Sequence, residues 1–202
     1  MHRRLTLGFL WLATWGNLAG PAAPPLVETP SHPDVTVVSI LPSVTDPAIQ
    51  TFDSPHAIYL NRKLIVDQQP GPVHARHELL LWLTGTGGNA QKAAADFCKL
   101  AADLGYHVVS LMYPDDLAAS ACANDRNLDS FETFRLAIIQ GGSATCQNGR
   151  KKLTITRPDS IESRLTKLLL HLKSIRPREH WEQFLNTNDT VKWETIAVAG
   201  QS

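Results

Sequence analysis

Two continuous apolar runs constrain this chain most: Glu78-Leu-Leu-Leu-Trp-Leu83 and Tyr106-His-Val-Val-Ser-Leu-Met-Tyr113. Neither alternates polar and apolar residues. Such runs suit strands buried on both faces, the environment found in parallel sheets. Between them Gly85-Thr86-Gly87-Gly88 breaks the first run and Asn89 offers an N-cap. Ala93, Ala94, Phe97, Leu100, Ala101 and Leu104 then follow at helical spacing, and Gly105 suits a left-handed stop. The pattern predicts a helix over 89–104. Strand, helix and strand in that order imply a parallel pair joined by a crossover. The expected fold class is therefore α/β, with a mostly parallel sheet.

Other elements are placed around this unit. Residues 35–41 read as a strand. Residues 57–60 and 63–66 flank Asn61-Arg62 and read as a small antiparallel hairpin, followed by a turn-rich connector over 68–72. Residues 114–150 are the least regular stretch. A helix is expected there over 130–139, with Asp129-x-x-Glu132 as its cap and Gly141-Gly142 as its stop. Asp159-x-x-Glu162 has the form of a capping box. Ile161, Leu165, Leu168, Leu169, Leu172 and Ile175 follow it on one helical face, and Pro177 ends the helix. A short helix is expected over 180–185 and a last strand over 195–199.

Charge excludes some function classes. The chain carries 19 basic and 19 acidic residues in 202, a formal net charge of zero. No basic stripe points to a nucleic-acid partner. The N-terminus carries a different signal. Arg3 and Arg4 precede an apolar stretch over 5–19, and Gly20-x-Ala22 places small residues where cleavage would occur. Residues 1–22 are expected to be a cleaved signal peptide, since the run is short for a membrane span. The product would be exported to a periplasmic or extracellular space, with no stable membrane span after signal removal. Residues 21–33 include five prolines, so an extended leader is expected over 23–33. Three cysteines follow. Cys98 falls within the helical pattern and reads as a buried free thiol, while Cys122 and Cys146 lie in loop-like sequence and are free to pair or not. Their spacing matches no zinc site, and no metal or cofactor is expected.

The last strand leads into Gly200-Gln201-Ser202. Gly-x-Ser after a strand is the first half of a nucleophile elbow, in which a strained turn lifts a serine above the sheet. Upstream stands the strand with its Gly-rich loop over 83–88. In this order the features resemble the α/β-hydrolase superfamily, nearest to its secreted bacterial esterase- or lipase-like members. The resemblance spans roughly residues 56–202, and residues 34–202 would be a partial α/β-hydrolase domain. It implies that Ser202 is the nucleophile and that the backbone N–H of Thr86 is one oxyanion donor. Thr84-Gly85 stands where the family often has His-Gly. In the family the acid and histidine follow the serine, as does the second oxyanion donor. The chain is thus expected to be the front part of a serine hydrolase acting on a small-molecule ester or related acyl substrate, inactive over 1–202 alone. An open apolar edge is expected at 195–199.

Two alternatives remain at this stage. One is a non-catalytic binding or remnant module of hydrolase ancestry. The other takes Gly85-x-Gly87-x-x-Ala90 as a dinucleotide fingerprint, with Asp115 or Asp116 as its acidic residue. Of the histidines, His74, His77, His107 and His171 read as ordinary partly buried or surface residues. His32, His56 and His180 lie in loop or helix-end sequence without partner spacing.

Overall fold

The structure is a computed structural model that describes residues 31–49, 51–64 and 73–201. The expected signal peptide, most of the expected leader, residues 65–66 of the expected hairpin, the 68–72 connector and Ser202 lie outside the described residues.

A five-stranded sheet organises the fold. Strand β1 is Val35–Ile40, β2 is His56–Asn61, β3 is Leu79–Leu83, β4 is His107–Leu111 and β7 is Ile196–Gly200, in the spatial order β1-β2-β4-β3-β7. Strand β2 runs antiparallel to both β1 and β4, whereas β3 is parallel to β4 and to β7. The two apolar runs thus form the expected parallel pair, and the last strand joins it on the other side of β3. The hairpin expected around Asn61-Arg62 is not formed. Arg62–Leu64 is a 3-10 turn, and β2 takes β1 as its antiparallel neighbour. Pairing with β1 and β4 lets β2 bury all six of its residues. A local hairpin at a sheet edge offers no such burial.

The sheet is covered on both faces. Helix α1 is the single turn Pro42–Thr45, α2 is Ala95–Asp103, α3 is Ser130–Gln140 and α4 is Ile161–Ile175. Leu79, Leu81, Val109 and Leu111 point toward α3 and α4, meeting Phe134, Leu165, Leu168 and Leu172 in the larger core. Leu80, Val108, Ala57 and Tyr59 face the other way and pack under α2 against Cys98, Ala101 and Ala102. Helix α2 differs from expectation in two respects. Residues 90–94 form turns, with Asn89 Oδ1 accepting from Gln91 N, and the helix starts only after Ala94, which sits at φ 54°. It also buries its small residues. Phe97, Leu100 and Leu104 remain about half exposed, because Cys98, Ala101 and Ala102 let the helix approach the sheet closely. Phe97 rests against Trp82 with ring centroids 5.2 Å apart.

Helix α4 buries the predicted stripe from Ile161 to Leu172, while Ile175 is exposed. Its cap is Ser160, whose hydroxyl accepts from Ser163 N, and not Asp159. Asp159 instead pairs with the fully buried Arg164 at 2.7 Å. Asp129 makes no side-chain cap on α3, although Gly141 ends that helix at φ 86°. A hairpin that the sequence pattern did not suggest follows: β5 is Gly142–Cys146 and β6 is Lys151–Ile155, paired antiparallel. The expected helix over 180–185 is a 3-10 turn, Trp181–Phe184. Strand β7 forms an edge of the sheet among the described residues, and Val198 is 58% exposed on it. This is the open apolar edge expected at 195–199.

Cys122 and Cys146 form a disulfide across 24 residues, tying a 3-10 turn to β5, while Cys98 is free and buried. Closing a loop of that size stabilises by about 3.5 kcal/mol in the chain-entropy model. The Cys122→Ala/Cys146→Ala variant is expected to lose about 2–4 kcal/mol in urea unfolding. A change under about 0.5 kcal/mol, within the noise of extrapolation, would show that the unfolded loop is already restricted.

His56 gives the fold a dependence on pH. It is fully buried at the start of β2, where Nδ1 accepts from Met112 N at 2.9 Å and Nε2 has no partner. Burial, and then the Arg164 guanidinium, pull its pKa down to about 3, against a smaller opposing effect of Asp53. Between the unfolded value of 6.5 and about 3, the unfolded chain binds a proton that the native fold refuses. Stability from this residue is complete above pH 6.5 and is lost as pH falls. Burial lowers His107 in the same direction. Unfolding free energy is expected to fall by about 3 kcal/mol from pH 7 to pH 4. His56→Gln should remove most of that slope. A native stability flat over this range would contradict the assignment.

Candidate functional site

The site grows out of the register between β3 and β7. Leu83 pairs with Gly200, and Gln201 N donates to Leu83 O at 3.2 Å. A Cβ at position 200 would lie 2.8 Å from Leu83 O, so only glycine lets the strands approach this closely there. The Gly-rich loop after β3 and Gln201 after β7 therefore lie side by side at the end of the sheet. The chain crosses from β3 to β4 on one side of the sheet and later returns to β7 on the other. Such a reversal of strand order is where open α/β sheets place their ligands, beyond the carboxyl ends of the strands.

Asp115 shapes the Gly-rich loop. It is 5% exposed, just beyond β4, and its Oδ2 accepts from both Thr84 Oγ1 and Gly88 N at 3.1 Å. Its backbone carbonyl accepts from Gly87 N at 3.0 Å, and Gly87 stands at φ +69°. Burial pushes the Asp115 carboxyl up, and the bonds from Thr84 and Gly88 pull it partly back. Tyr113 closes the same corner by donating its hydroxyl to Thr84 O at 2.6 Å. Thr86 is thereby held at the tip of an anchored turn. Among the described residues no acceptor takes its N–H.

A cleft of about 530 Å³ opens beside this turn. Thr84, Gly85, Thr86 and Gln201 line one side, and residues of 117–120 and α3 line the other. Ser202, next in sequence to Gln201, lies outside the described residues. The structure thus brings Thr86 and Gln201 to one cleft.

Among the described residues no histidine lines this cleft. His107 begins β4 at the opposite end of the sheet, where its Nε2 meets Glu179 O at 2.7 Å. His77 pairs with Gln183 and His32 with Asp103, while His171 lies within α4. His56 is at the correct end but sits on β2, two strands from β3, and is fully buried. The dinucleotide reading finds no support in this geometry. It needs a helix N-terminus at Gly85-x-Gly87, yet α2 starts at Ala95 after a run of turns. Of its two candidate acids, Asp115 is engaged with the loop itself, while Asp116 is exposed. The described residues hold no group of three or more His, Cys, Asp or Glu that could bind a metal ion.

The role of Asp115 as the clasp of the loop was not visible in sequence. It stands 31 residues from Thr84, and only the parallel pairing of β3 with β4 brings the two together. No protein-family model matches this chain, and neither a curated protein nor a solved structure matches it significantly.

Proposed function

We propose that this chain is the N-terminal part of an exported serine hydrolase that cleaves an ester or related acyl bond. Ser202 is its nucleophile and the Thr86 backbone N–H is one of its oxyanion donors. The observation that carries the reading is the Leu83–Gly200 register. It sets an anchored, Gly-rich turn beside Gln201, the residue before Ser202 in sequence, at one cleft. A nucleophile and an oxyanion donor need this adjacency, because the reacting carbonyl must reach both at once. The Cys122–Cys146 disulfide supports an oxidising compartment and so export. Among the described residues no histidine lines the cleft, and its one carboxylate, Asp115, is engaged with the Gly-rich loop, which supports the further proposal that residues 1–202 do not turn over substrate by themselves.

Fluorophosphonate labelling of the gene-extended protein tests this. The expected result is one labelled site, mapped by peptide mass spectrometry to Ser202. Labelling at another serine, or none in a folded extended protein, would sink the assignment.

A further inference from the structure

Besides the Gly-rich loop and Gln201, the cleft is walled by the excursion between β4 and α4. Leu117, Phe131, Phe134, Ile138 and Ile139 contribute to it, and Ile161 at the start of α4 closes its floor. Two of these residues are not packed away by the fold. Phe131 is 49% exposed and Ile139 is 37% exposed, both on α3 and both directed into the cleft. Only two ionisable side chains other than Tyr113 reach the lining, Asp115 and Arg135. Asp115 is engaged with Thr84 and Gly88, and the Arg135 guanidinium lies over the Phe131 ring at 5.2 Å. Asp115 is thus committed to the loop, and the exposed Arg135 is stacked on Phe131. The excursion is held in place from behind. Helix α3 packs on β5, and Cys146 at the end of β5 is joined to Cys122, just after the lining residues of 117–120.

Volume narrows the occupant further. At about 30 Å³ per water-sized unit, a cleft of about 530 Å³ has room for more than ten non-hydrogen atoms. It also falls in the range of pockets that enclose a whole small ligand. An acetyl group would leave most of that apolar wall wet. Exposed apolar surface lining a concavity beside a reactive turn is the mark of an apolar ligand.

We infer that this cleft, walled by the disulfide-tied excursion between β4 and α4, is the acyl-binding site for a neutral, medium-length apolar acyl group of about eight carbons. The inference deepens the hydrolase reading and rests on it for the word acyl. The site accepts apolar chains whether or not Ser202 is activated, so binding can be measured apart from turnover.

Binding of n-butanol, n-hexanol and n-octanol to the 202-residue chain, followed by saturation-transfer NMR, tests the cleft directly. Affinity is expected to rise about three- to fourfold per methylene. Two variants that fill the cleft, Ala118→Phe and Ile139→Trp, should each flatten the series. Both lie at partly exposed positions, so loss of the fold in one leaves the other as a test, with circular dichroism as the check on folding. Affinity that does not depend on chain length in the native protein overturns the inference, as does a series unchanged in both folded variants. In the gene-extended protein the octanoyl p-nitrophenyl ester should exceed the acetyl ester in kcat/KM by tenfold or more. A preference for acetyl overturns the inference while leaving Ser202 as nucleophile. Absence of fluorophosphonate labelling at Ser202 overturns the hydrolase reading without touching the alkanol result.

Discussion

If Ser202 is the nucleophile proposed above, Ser202→Ala in the gene-extended protein is expected to lower ester turnover on the order of 10⁶-fold, the loss typical of removing a triad nucleophile. The 202-residue chain is expected to show no turnover above its own Ser202→Ala control. The reason is chemical. A serine hydroxyl is a poor nucleophile near neutral pH unless a base takes its proton as it attacks. His56 is buried two strands away, His107 is bonded at the far end of β4, and among the described residues no histidine lines the cleft. In the family that the motif resembles, the second oxyanion donor follows the serine, and one such donor is worth about 2.7–4 kcal/mol of barrier. Base and donor serve one transition state, so their losses do not add as independent terms. The assay is release of p-nitrophenol from acyl esters by both proteins. Ser202-dependent activity of the 202-residue chain would mean that a base already in these residues reaches the serine, and the proposed dependence on further chain would fall.

Arg164→Ala is expected to cost about 3–5 kcal/mol of folding stability, because it strands a buried carboxylate and several carbonyls. The guanidinium is fully buried. It donates to Asp159 Oδ1, to the carbonyl of Asp159 and to the carbonyls of Thr51, Phe52 and Met112, at 2.6 to 3.1 Å. One side chain thus joins the loop before β2, the end of β4 and the start of α4. Burial alone would raise the Asp159 carboxyl, but bonds from Thr156 and Arg164 hold it below its usual range. Arg164→Lys should recover little, since one ammonium cannot satisfy acceptors spread along a planar fork. Adding Asp159→Ala to Arg164→Ala should restore part of the loss by removing the unpaired charge. Urea midpoints for the single and double variants decide this. A single variant within about 0.5 kcal/mol of the native protein would show that water replaces the guanidinium at no cost, against the burial seen here.

Much of the architecture was legible because it rests on local periodicity. The runs at 78–83 and 106–113 carry no polar alternation, and they are the paired central strands. The stripe from Ile161 to Leu172 has one buried face and became α4 as read. Elements that depend on distant partners were not legible. Strands β5 and β6 have only two buried residues each, and Lys151-Lys152 and Gly142-Ser143 carry no strand signal. Their pairing answers to α3 and to the disulfide. Asn89 was a sound cap read in the wrong context: it caps a turn, and α2 waits for Ala94. Asp159 resembled a capping residue because its neighbours did, yet a buried arginine outcompetes an N-terminal amide for its charge. At the candidate site, the Gly-rich loop of Thr86 and the Gly-x-Ser sequence were visible as motifs. Their adjacency was not, because it depends on which strand β7 chooses as its neighbour.

The packing of α2 bears on how the chain would oxidise correctly. Three cysteines permit three single disulfides, and in an unfolded chain Cys98 competes for either partner. In the native fold burial pushes the Cys98 thiol up to about 12, so almost none of it is thiolate near neutral pH. The thiolate is the species that attacks a disulfide, and a buried thiol cannot reach one. Docking of α2 onto the sheet therefore proofreads the bond. A molecule that closes Cys122 to Cys146 can hide Cys98 and stop exchanging, whereas a mispaired one keeps a reactive thiol and stays open to repair.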